Sequence, residues 1–188
     1  MARNKSSSKP TPNEQIILAK AVNIKLLLLD VDGVLTDGTL TYTGKSIESK
    51  TFHCQDGLGI RLLTEAGIDV GVISARSSES LTRRAEELNI RFIHQGESDK
   101  SSALQTILKS SSLKPIEIAY MGDDWVDLSV MQQVGLAVSP ANGVTEVKEI
   151  AHYVTEKSGG DGAVRECCNL ILRAQNKLSP LLQKYRTR

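Results

Sequence analysis

Residues 26–36 read Leu-Leu-Leu-Leu-Asp-Val-Asp-Gly-Val-Leu-Thr, so an apolar run ends in two carboxylates one residue apart. Four consecutive leucines are typical of a strand buried on both faces, as in the interior of a parallel sheet. Asp30 and Asp32 then stand where that strand leaves the sheet. Because desolvating carboxylates is costly, the pair indicates a bound cation, a catalytic role or both. A simple turn at Asp32-Gly33 is the alternative explanation.

The rest of the chain alternates predicted strands and helices. Apolar segments predict strands over residues 24–31, 68–74, 90–94, 116–121, 135–139 and 152–155. Helical spacing predicts helices over residues 14–22, 58–66, 77–88, 100–110, 124–134 and 164–177. This alternation predicts an α/β fold with a Rossmann-like, mainly parallel sheet covered by helices on both faces.

A β-hairpin is predicted between the first strand and the helix that follows it. Residues 38–52 carry threonine, tyrosine and isoleucine on both sides of Thr43-Gly44-Lys45, which is typical of two short strands joined by a turn. The sequence therefore predicts a small antiparallel unit in addition to the main sheet.

Polar side chains follow four of the predicted strands. In parallel sheets the ligand crevice lies beyond the carboxyl ends of the strands, so these side chains are expected to converge there. Ser74 and Arg76 follow the second strand of the sheet, and Lys100 begins the helix after the third. Asp30 and Asp32 follow the first strand. Three aspartates follow the fourth strand: Asp123, Asp124 and Asp127.

The converging residues suit phosphoryl transfer. Carboxylate oxygens without cysteine or paired histidine favour Mg²⁺, which takes a few carboxylates together with water and a substrate phosphate. Ser74 can donate a hydrogen bond to a phosphoryl oxygen, and Lys100 can neutralise phosphoryl charge. A carboxylate can also attack phosphorus, while a second carboxylate protonates the leaving alcohol and then activates water. The pattern predicts Mg²⁺-dependent hydrolysis of a phosphate ester.

Four motifs, taken in order, resemble those of the haloacid dehalogenase-like phosphatases. They are DVDGVLT, the serine after the second strand, the lysine that opens a helix, and GDDWVD, and the resemblance extends over about residues 25–154. Each motif alone is common, whereas the four together, each after its own strand, are specific. The last motif contains Asp124 and Asp127, of which Asp127 is expected to orient the metal ligands, whereas the role of Asp124 stays open.

The resemblance implies a role for each remaining motif residue. Asp30 would be the nucleophile and a metal ligand through its carboxylate. Asp32 would be the general acid and base, and a metal ligand through its backbone carbonyl. Asp123 would be the second acidic ligand, and Ser74 and Lys100 would hold the transferring phosphoryl group.

A narrower resemblance, to the family of 3-deoxy-D-manno-octulosonate 8-phosphate phosphatases, covers nearly everything after residue 20. Besides the motif around Asp30, it rests on FHCQDGLGIRLL, QGESDK, GDDWVDLSVM and GGDGAVRECCNLIL. It implies release of the sugar acid and phosphate for lipopolysaccharide synthesis, and a small hairpin cap over residues 38–52. It also implies a homotetramer with shared active sites and a C-terminal tail, residues 158–188, that reaches a site.

An acidic sugar phosphate also suits several cations of the chain, because a guanidinium pairs well with a carboxylate. The alternative for each arginine is a solvated helix face. Asp56-Gly57 is explained equally well by a backbone turn, and Cys54 by the packing of a small hydrophobic side chain. Trp125 is expected to pack. The resemblance implies that His53, Gln55, Asp56 and Gly57 lie where the family binds sugar. The predicted substrate-binding residues are Asp32, His53, Cys54, Gln55, Asp56, Gly57, Arg61, Arg76, Arg84, Lys100 and Arg165.

Two other functions compete with this prediction. Relatives of the family hydrolyse nonulosonic acid 9-phosphates, and Gln55 stands where the family often has arginine, which bears on the sugar rather than on the reaction. A non-catalytic tetramerisation module, like those fused to cytidylyltransferases, is the other alternative. The presence of Asp30, Asp32, Lys100 and Asp123 argues against it.

Composition sets the remaining expectations. With 188 residues and 40% hydrophobic side chains, one domain is predicted over residues 14–178, preceded by a disordered lead-in of residues 1–13. The net charge of +1 gives no reason to expect nucleic acid or a membrane as partner. Three cysteines without a CxxC pair favour a reducing, cytoplasmic compartment.

Overall fold

A parallel sheet forms the centre of the molecule. The computed structural model describes residues 11–43 and 47–187. Within them, β1 (Leu26–Leu29) pairs with β4 (Asp69–Ser74) on one side and β6 (Ile118–Met121) on the other. With β5 (Phe92–Gln95), β7 (Leu136–Ser139) and β8 (Tyr153–Val154), the strand order is β5-β4-β1-β6-β7-β8, and every pair is parallel. The predicted α/β fold is confirmed.

Helices cover both faces of the sheet and divide the core in two. The leucines of β1 are fully buried and alternate between the two cores. One face is covered by α1 (Pro12–Ala21), α2 (Cys54–Glu65), α3 (Glu79–Glu87) and α7 (Ala163–Ala174). The other face is covered by α4 (Lys100–Ser111), α5 (Leu128–Met131) and α6 (Thr145–Ile150).

The small antiparallel unit is also present. Its strands are β2 (Thr41–Thr43) and β3 (Ile47–Ser49), in the register that pairs Thr41 with Ser49. The predicted turn at residues 44–46 and most of the predicted lead-in, residues 1–10, lie outside the described residues. The hairpin leaves the sheet after β1 and returns directly into α2, which places it beside the carboxyl end of β1.

Helix boundaries differ from the predictions for identifiable reasons. α1 begins at Pro12 rather than residue 14, because Thr11 and Glu14 form a capping box around its first turn. α2 begins at Cys54 rather than residue 58, so its first two turns contain Gly57 and Gly59. Gly59 lies close to Arg165 of α7, where a β-carbon would be 3.1 Å from the Arg165 Cα. These glycines allow close helix packing although they weaken the helical pattern.

Two helices were missed, and the helix predicted over residues 124–134 is the one most shortened. α6 has six residues with only Val147 buried, so it has little apolar periodicity. α8 (Leu178–Arg186) has no buried residue and contains Pro180 in its first turn, where proline is tolerated. The helix predicted over residues 124–134 begins as a 3₁₀ turn, Trp125–Asp127, and continues only to Met131. In the described part of the chain, no helix has the length and apolar character needed to cross a bilayer.

Candidate active site

The carboxyl ends of the central strands bring several of the predicted catalytic and metal-binding residues to one edge of the sheet. Asp30 follows β1, Asp123 follows β6, and Lys100 is the first residue of α4. One carboxylate oxygen from each of Asp30, Asp123 and Asp127 lies within 4.8 Å of the others. Ser74 ends β4 and is almost fully buried. The expected convergence at this edge of the sheet is therefore observed.

Lys100 links two of these carboxylates. It is 2% exposed, and its Nζ lies 2.7 Å from Asp30 Oδ1 and 2.6 Å from Asp127 Oδ1. Asp99 caps α4 by accepting a hydrogen bond from the Ser102 N–H, which fixes where the helix begins. Burial by itself lowers the pKa of Lys100, but the two carboxylates outweigh it and the net shift is upward. The ammonium is thus held charged inside the site.

Both carboxylate oxygens of Asp127 accept hydrogen bonds from other groups of the protein. Its Oδ1 accepts from Lys100 and from the buried Tyr120 hydroxyl, each at 2.6 Å. Its Oδ2 accepts from the backbone N–H groups of Asp123 at 2.9 Å and Asp124 at 3.2 Å. Asp127 therefore orients both Lys100 and the loop that carries Asp123. Tyr120 was missed by the sequence analysis, although a tyrosine in an otherwise aliphatic buried strand needs a hydrogen-bond partner.

Asp123 has an oxygen without a partner. Its Oδ1 is buried and makes no hydrogen bond with any described residue. Burial, then the Asp30 and Asp127 carboxylates, raise the pKa of Asp123 to about 7. Burial and Asp127 likewise raise the pKa of Asp30 to about 6, although Lys100 opposes the shift. The pKa values of Asp30 and Asp123 are therefore higher in the folded protein than in the unfolded chain. Folding stability falls as the pH rises through these folded-state pKa values, because both carboxyl groups must then ionise inside the site.

This donor set fits a divalent cation. A cation between Asp30 and Asp123 would neutralise two carboxylates that are otherwise crowded and desolvated, and it would use the unpaired Asp123 Oδ1. Oxygen donors without sulfur or imidazole suit Mg²⁺. Asp30 and Asp123 are the side chains that would hold it.

The Asp32 carboxylate turns away from this acidic group. Lys50 Nζ donates to Asp32 Oδ1, and Arg76 Nε lies 3.8 Å from Asp32 Oδ2. The chain turns at Gly33, whose φ is +87° and whose β-carbon would lie 2.0 Å from Asp123 Oδ2, so only glycine fits. The sequence offered two explanations for Asp30 and Asp32, a simple turn and a functional site. The two are compatible, because the turn at Gly33 separates the two carboxylates.

Glycines of the tail pack against the same turn. A β-carbon on Gly159 would lie 1.8 Å from the Gly33 carbonyl oxygen. Asn142 fastens the contact, because its Nδ2 donates to the Gly33 carbonyl at 2.9 Å and its Oδ1 accepts from the Gly159 N–H at 2.6 Å. The sequence analysis did not single out Asn142. The start of the tail thus lies beside the site of its own chain.

Several predicted substrate-binding residues lie beside the hairpin. Arg84 lies over the Phe52 ring at 5.9 Å, and a β-carbon on Gly57 would lie 2.3 Å from Arg84 Nη2. The exposed Cys54 is close by. A cavity of about 320 Å³ is lined by Lys50, Phe52, Cys54, Ser80, Arg83, Arg84 and Glu87. It is large enough for part of a sugar and carries positive charge.

Asp56 has a structural position instead of facing this cavity. It is 1% exposed, and its Oδ1 accepts from the Arg165 N–H at 2.7 Å, in the first turn of α7. A carboxylate there complements the partial positive charge of the helix N-terminus. This burial favours a capping role over the predicted substrate contact, even though burial raises the pKa of Asp56. His53 lies beside it, with Nδ1 3.9 Å from Asp56 Oδ2.

Three other predicted substrate-binding residues lie away from the acidic group. Arg61 Nη2 donates to the Glu87 carbonyl at 3.2 Å, at the end of α3. Arg165 Nε donates to Asn169 Oδ1 at 3.0 Å along its own helix. Gln55 lies near Gly162, at the start of α7. Their predicted contacts with substrate stay predictions.

The expectation that Trp125 packs against the rest of the chain is wrong. Trp125 is 63% exposed, and its neighbour Val126 is also exposed. The cause is the 3₁₀ turn, because turning Asp127 inward toward Lys100 leaves the two preceding side chains on the outside. An aromatic side chain therefore stands at the surface directly after Asp123 and Asp124.

Known proteins share both the sequence and this architecture. A family model described as haloacid dehalogenase-like hydrolase matches residues 89–166. Over 162 residues the chain is 45% identical to the 3-deoxy-D-manno-octulosonate 8-phosphate phosphatase of Yersinia pestis, covering 86% of this chain and 87% of that protein.

Two solved structures of phosphatases for the same ester carry bound metal. The Moraxella catarrhalis enzyme, in complex with magnesium ion, phosphate ion and the sugar acid, is 42% identical with a TM-score of 0.89, covering 93% of this chain and 99% of that one. The cobalt-bound Haemophilus influenzae enzyme is 40% identical with a TM-score of 0.82, and the match covers 84% of this chain and 92% of that one.

Proposed function

The chain belongs to the 3-deoxy-D-manno-octulosonate 8-phosphate phosphatases, within the haloacid dehalogenase-like hydrolases, and we propose that Asp30 is the nucleophile of its reaction. It hydrolyses the 8-phosphate ester to the sugar acid and inorganic phosphate, with Mg²⁺ as cofactor. The observation that carries the assignment of residues is the buried Lys100, paired with Asp30 beside the unpartnered Asp123 oxygen.

The proposed reaction has two displacements. An Asp30 carboxylate oxygen attacks phosphorus, and the bond from phosphorus to the sugar oxygen breaks while Asp32 gives that oxygen a proton. Water then attacks the aspartyl phosphate, Asp32 takes its proton, and phosphate leaves Asp30. Mg²⁺ supplies the positive charge that lets an anionic carboxylate approach an anionic phosphate. Lys100 adds a second positive charge, fixed before substrate arrives.

Ser74 has the geometry of a phosphoryl donor. Its Oγ accepts a hydrogen bond from the Arg76 N–H at 3.2 Å, so its own hydroxyl proton is left to donate to a phosphoryl oxygen. Arg76 follows in the same turn and reaches toward Asp32 and the hairpin. We propose that Ser74 orients the phosphate and that the positively charged cavity beside the hairpin receives the sugar acid.

Substrate preference is the experiment that tests this function. With Mg²⁺, kcat/KM for 3-deoxy-D-manno-octulosonate 8-phosphate is expected to exceed that for nonulosonic acid 9-phosphates and for neutral sugar phosphates by at least about tenfold. Steady-state phosphate release from all three classes measures it. Faster turnover of the nonulosonic acid esters would favour the alternative substrate. Absence of Mg²⁺-dependent release from any ester would favour the non-catalytic tetramerisation module.

We further propose a homotetramer with shared active sites. The hairpin strands have three residues each, and Tyr42 is 63% exposed, so the hairpin by itself gives the site little cover from water. Excluding water strengthens the electrostatic stabilisation of the transferring group, and a neighbouring chain would supply that cover. Light scattering should give the mass of four chains. A fully active monomer would contradict the proposal.

The cytoplasm is the proposed compartment, and the sugar acid is proposed to serve lipopolysaccharide synthesis there. The support is the state of the thiols: Cys54, Cys167 and Cys168 are all free, and the last two are buried. Free, unpaired thiols are usual where glutathione and thioredoxin keep cysteine reduced.

A further inference from the structure

Four charged residues form a cluster at the exit of the hairpin, here named the hairpin cluster: Asp32, Glu48, Lys50 and Arg76. Lys50 contacts Asp32 Oδ1, and its Nζ lies 2.6 Å from Glu48 Oε1. Arg76 contacts Glu48 Oε2, and its Nε lies 3.8 Å from Asp32 Oδ2. Each oxygen of Asp32 thus faces its own cation, and Glu48 holds both cations.

Lys50 is the buried member of the hairpin cluster. Its side chain is 2% exposed, whereas Lys25, at the amino-terminal edge of the sheet, pairs with Glu117 while 62% exposed. An ammonium is rarely buried unless carboxylates compensate its desolvation, and here two of them do. Hydrogen bonds from Arg76 and Lys50 hold the pKa of Glu48 below its usual value. The hairpin therefore presents a fixed, paired cation to Asp32.

The reaction steps proposed above assign no role to Lys50. They do require that the Asp32 carboxylate be oriented toward the leaving oxygen. A general acid must face the departing oxygen, and an exposed aspartate rotates freely about its side-chain torsions. The Asp32 side chain is still 22% exposed, so packing alone does not fix it. We propose that Lys50 is a positioning residue that, anchored by Glu48, holds the Asp32 carboxylate toward the leaving oxygen.

This inference rests on the proposed function, since it takes Asp32 as the general acid. It gives the hairpin a second task besides covering the site. The strand that ends at Ser49 places Lys50, so the acid is oriented by the hairpin rather than by the sheet. Glu48, which the sequence analysis did not single out, becomes the link between Lys50 and Arg76.

Leaving-group dependence separates this role from a merely structural one. An alkyl ester needs a proton on its leaving oxygen, whereas p-nitrophenolate leaves without one. kcat/KM reports only the steps up to departure of the leaving group. Lys50→Met is therefore expected to lower kcat/KM for the sugar phosphate about 10²-fold, while p-nitrophenyl phosphate changes by less than about threefold. Lys50→Arg should restore at least half of the lost activity on a logarithmic scale.

A neutral ester, glucose 6-phosphate, tells positioning from direct binding of substrate. A loss as large for the neutral ester as for the acidic sugar supports the proposal. A loss confined to the acidic sugar would make Lys50 a substrate contact, and an equal loss for p-nitrophenyl phosphate would make it structural; either overturns the proposal. Lys25→Met, at the opposite edge of the sheet, is the matched control and should leave all three rates unchanged.

A second variant keeps the test decisive if Lys50→Met does not fold. Glu48→Gln retains Lys50 but weakens its anchor, and it should give the same pattern with a loss of about tenfold. Unchanged alkyl ester turnover in Glu48→Gln would count against the proposal. Failure of the proposed function would be distinguishable from failure of this inference. Wild-type protein would then lack its preference for the acidic sugar phosphate, whereas the effect of Lys50→Met on alkyl and p-nitrophenyl esters could still be compared.

Discussion

Asp30→Asn is expected to abolish Mg²⁺-dependent phosphate release, lowering kcat by at least about 10⁴-fold, because the amide cannot attack phosphorus. The substitution keeps the size of the side chain, and Lys100 still pairs with Asp127 at 2.6 Å. The fold should therefore survive. Steady-state phosphate release and thermal unfolding, measured on the same preparation, check both halves of the expectation.

Asp69→Asn is the matched control for this substitution. Asp69 begins β4 at the amino-terminal edge of the sheet and pairs with Arg91, so it lies at the far end of the strand from the site. Its variant should keep wild-type activity. If Asp30→Asn retained a tenth or more of the wild-type kcat, the nucleophile would have to be another group and the mechanism would be wrong.

Lys100→Met is expected to have the second largest effect. The variant leaves Asp30 and Asp127 buried without their shared cation, and removing one partner of a buried ion pair costs about 3–5 kcal/mol of folding stability. Loss of the positive charge beside the phosphate should lower kcat about 10³-fold. Denaturant unfolding and phosphate release measure the two effects.

Magnesium should distinguish electrostatic loss from a packing defect in this variant. If the missing charge is the cause, Mg²⁺ will raise the unfolding midpoint of Lys100→Met more than that of wild type, because the ion compensates the carboxylates that Lys100 left. Lys109→Met, on the exposed face of the same helix, is the control. Wild-type stability in Lys100→Met with chelator present would show that Lys100 does not hold the acidic group together.

The sequence was sufficient for the sheet and for the acidic core of the site. The leucine run is typical of a strand buried on both faces, and the rule that ligands bind beyond the carboxyl ends of parallel strands predicted that Asp30, Lys100 and Asp123 lie together. These inferences work because period, burial and topology are set by short stretches of chain.

Contacts set by tertiary structure were beyond the sequence. The pairing of Lys50 with Asp32 depends on the register and twist of a hairpin that separates them by 18 positions. Asp56 carries the same turn signature whether it binds sugar or caps α7, and only its burial decides between them. Trp125 has a side chain typical of a core, but the inward turn of Asp127 leaves it at the surface.

Chemical capture of the intermediate tests the central claim, that Asp30 attacks phosphorus, most directly. Wild-type protein mixed with substrate and Mg²⁺ is quenched within one turnover, reduced with borohydride and digested. A phosphorylated aspartate becomes homoserine under these conditions, and mass spectrometry locates it. We predict homoserine at position 30 and none there without substrate. Homoserine at another aspartate, or phosphate release without any reducible intermediate, would contradict the account.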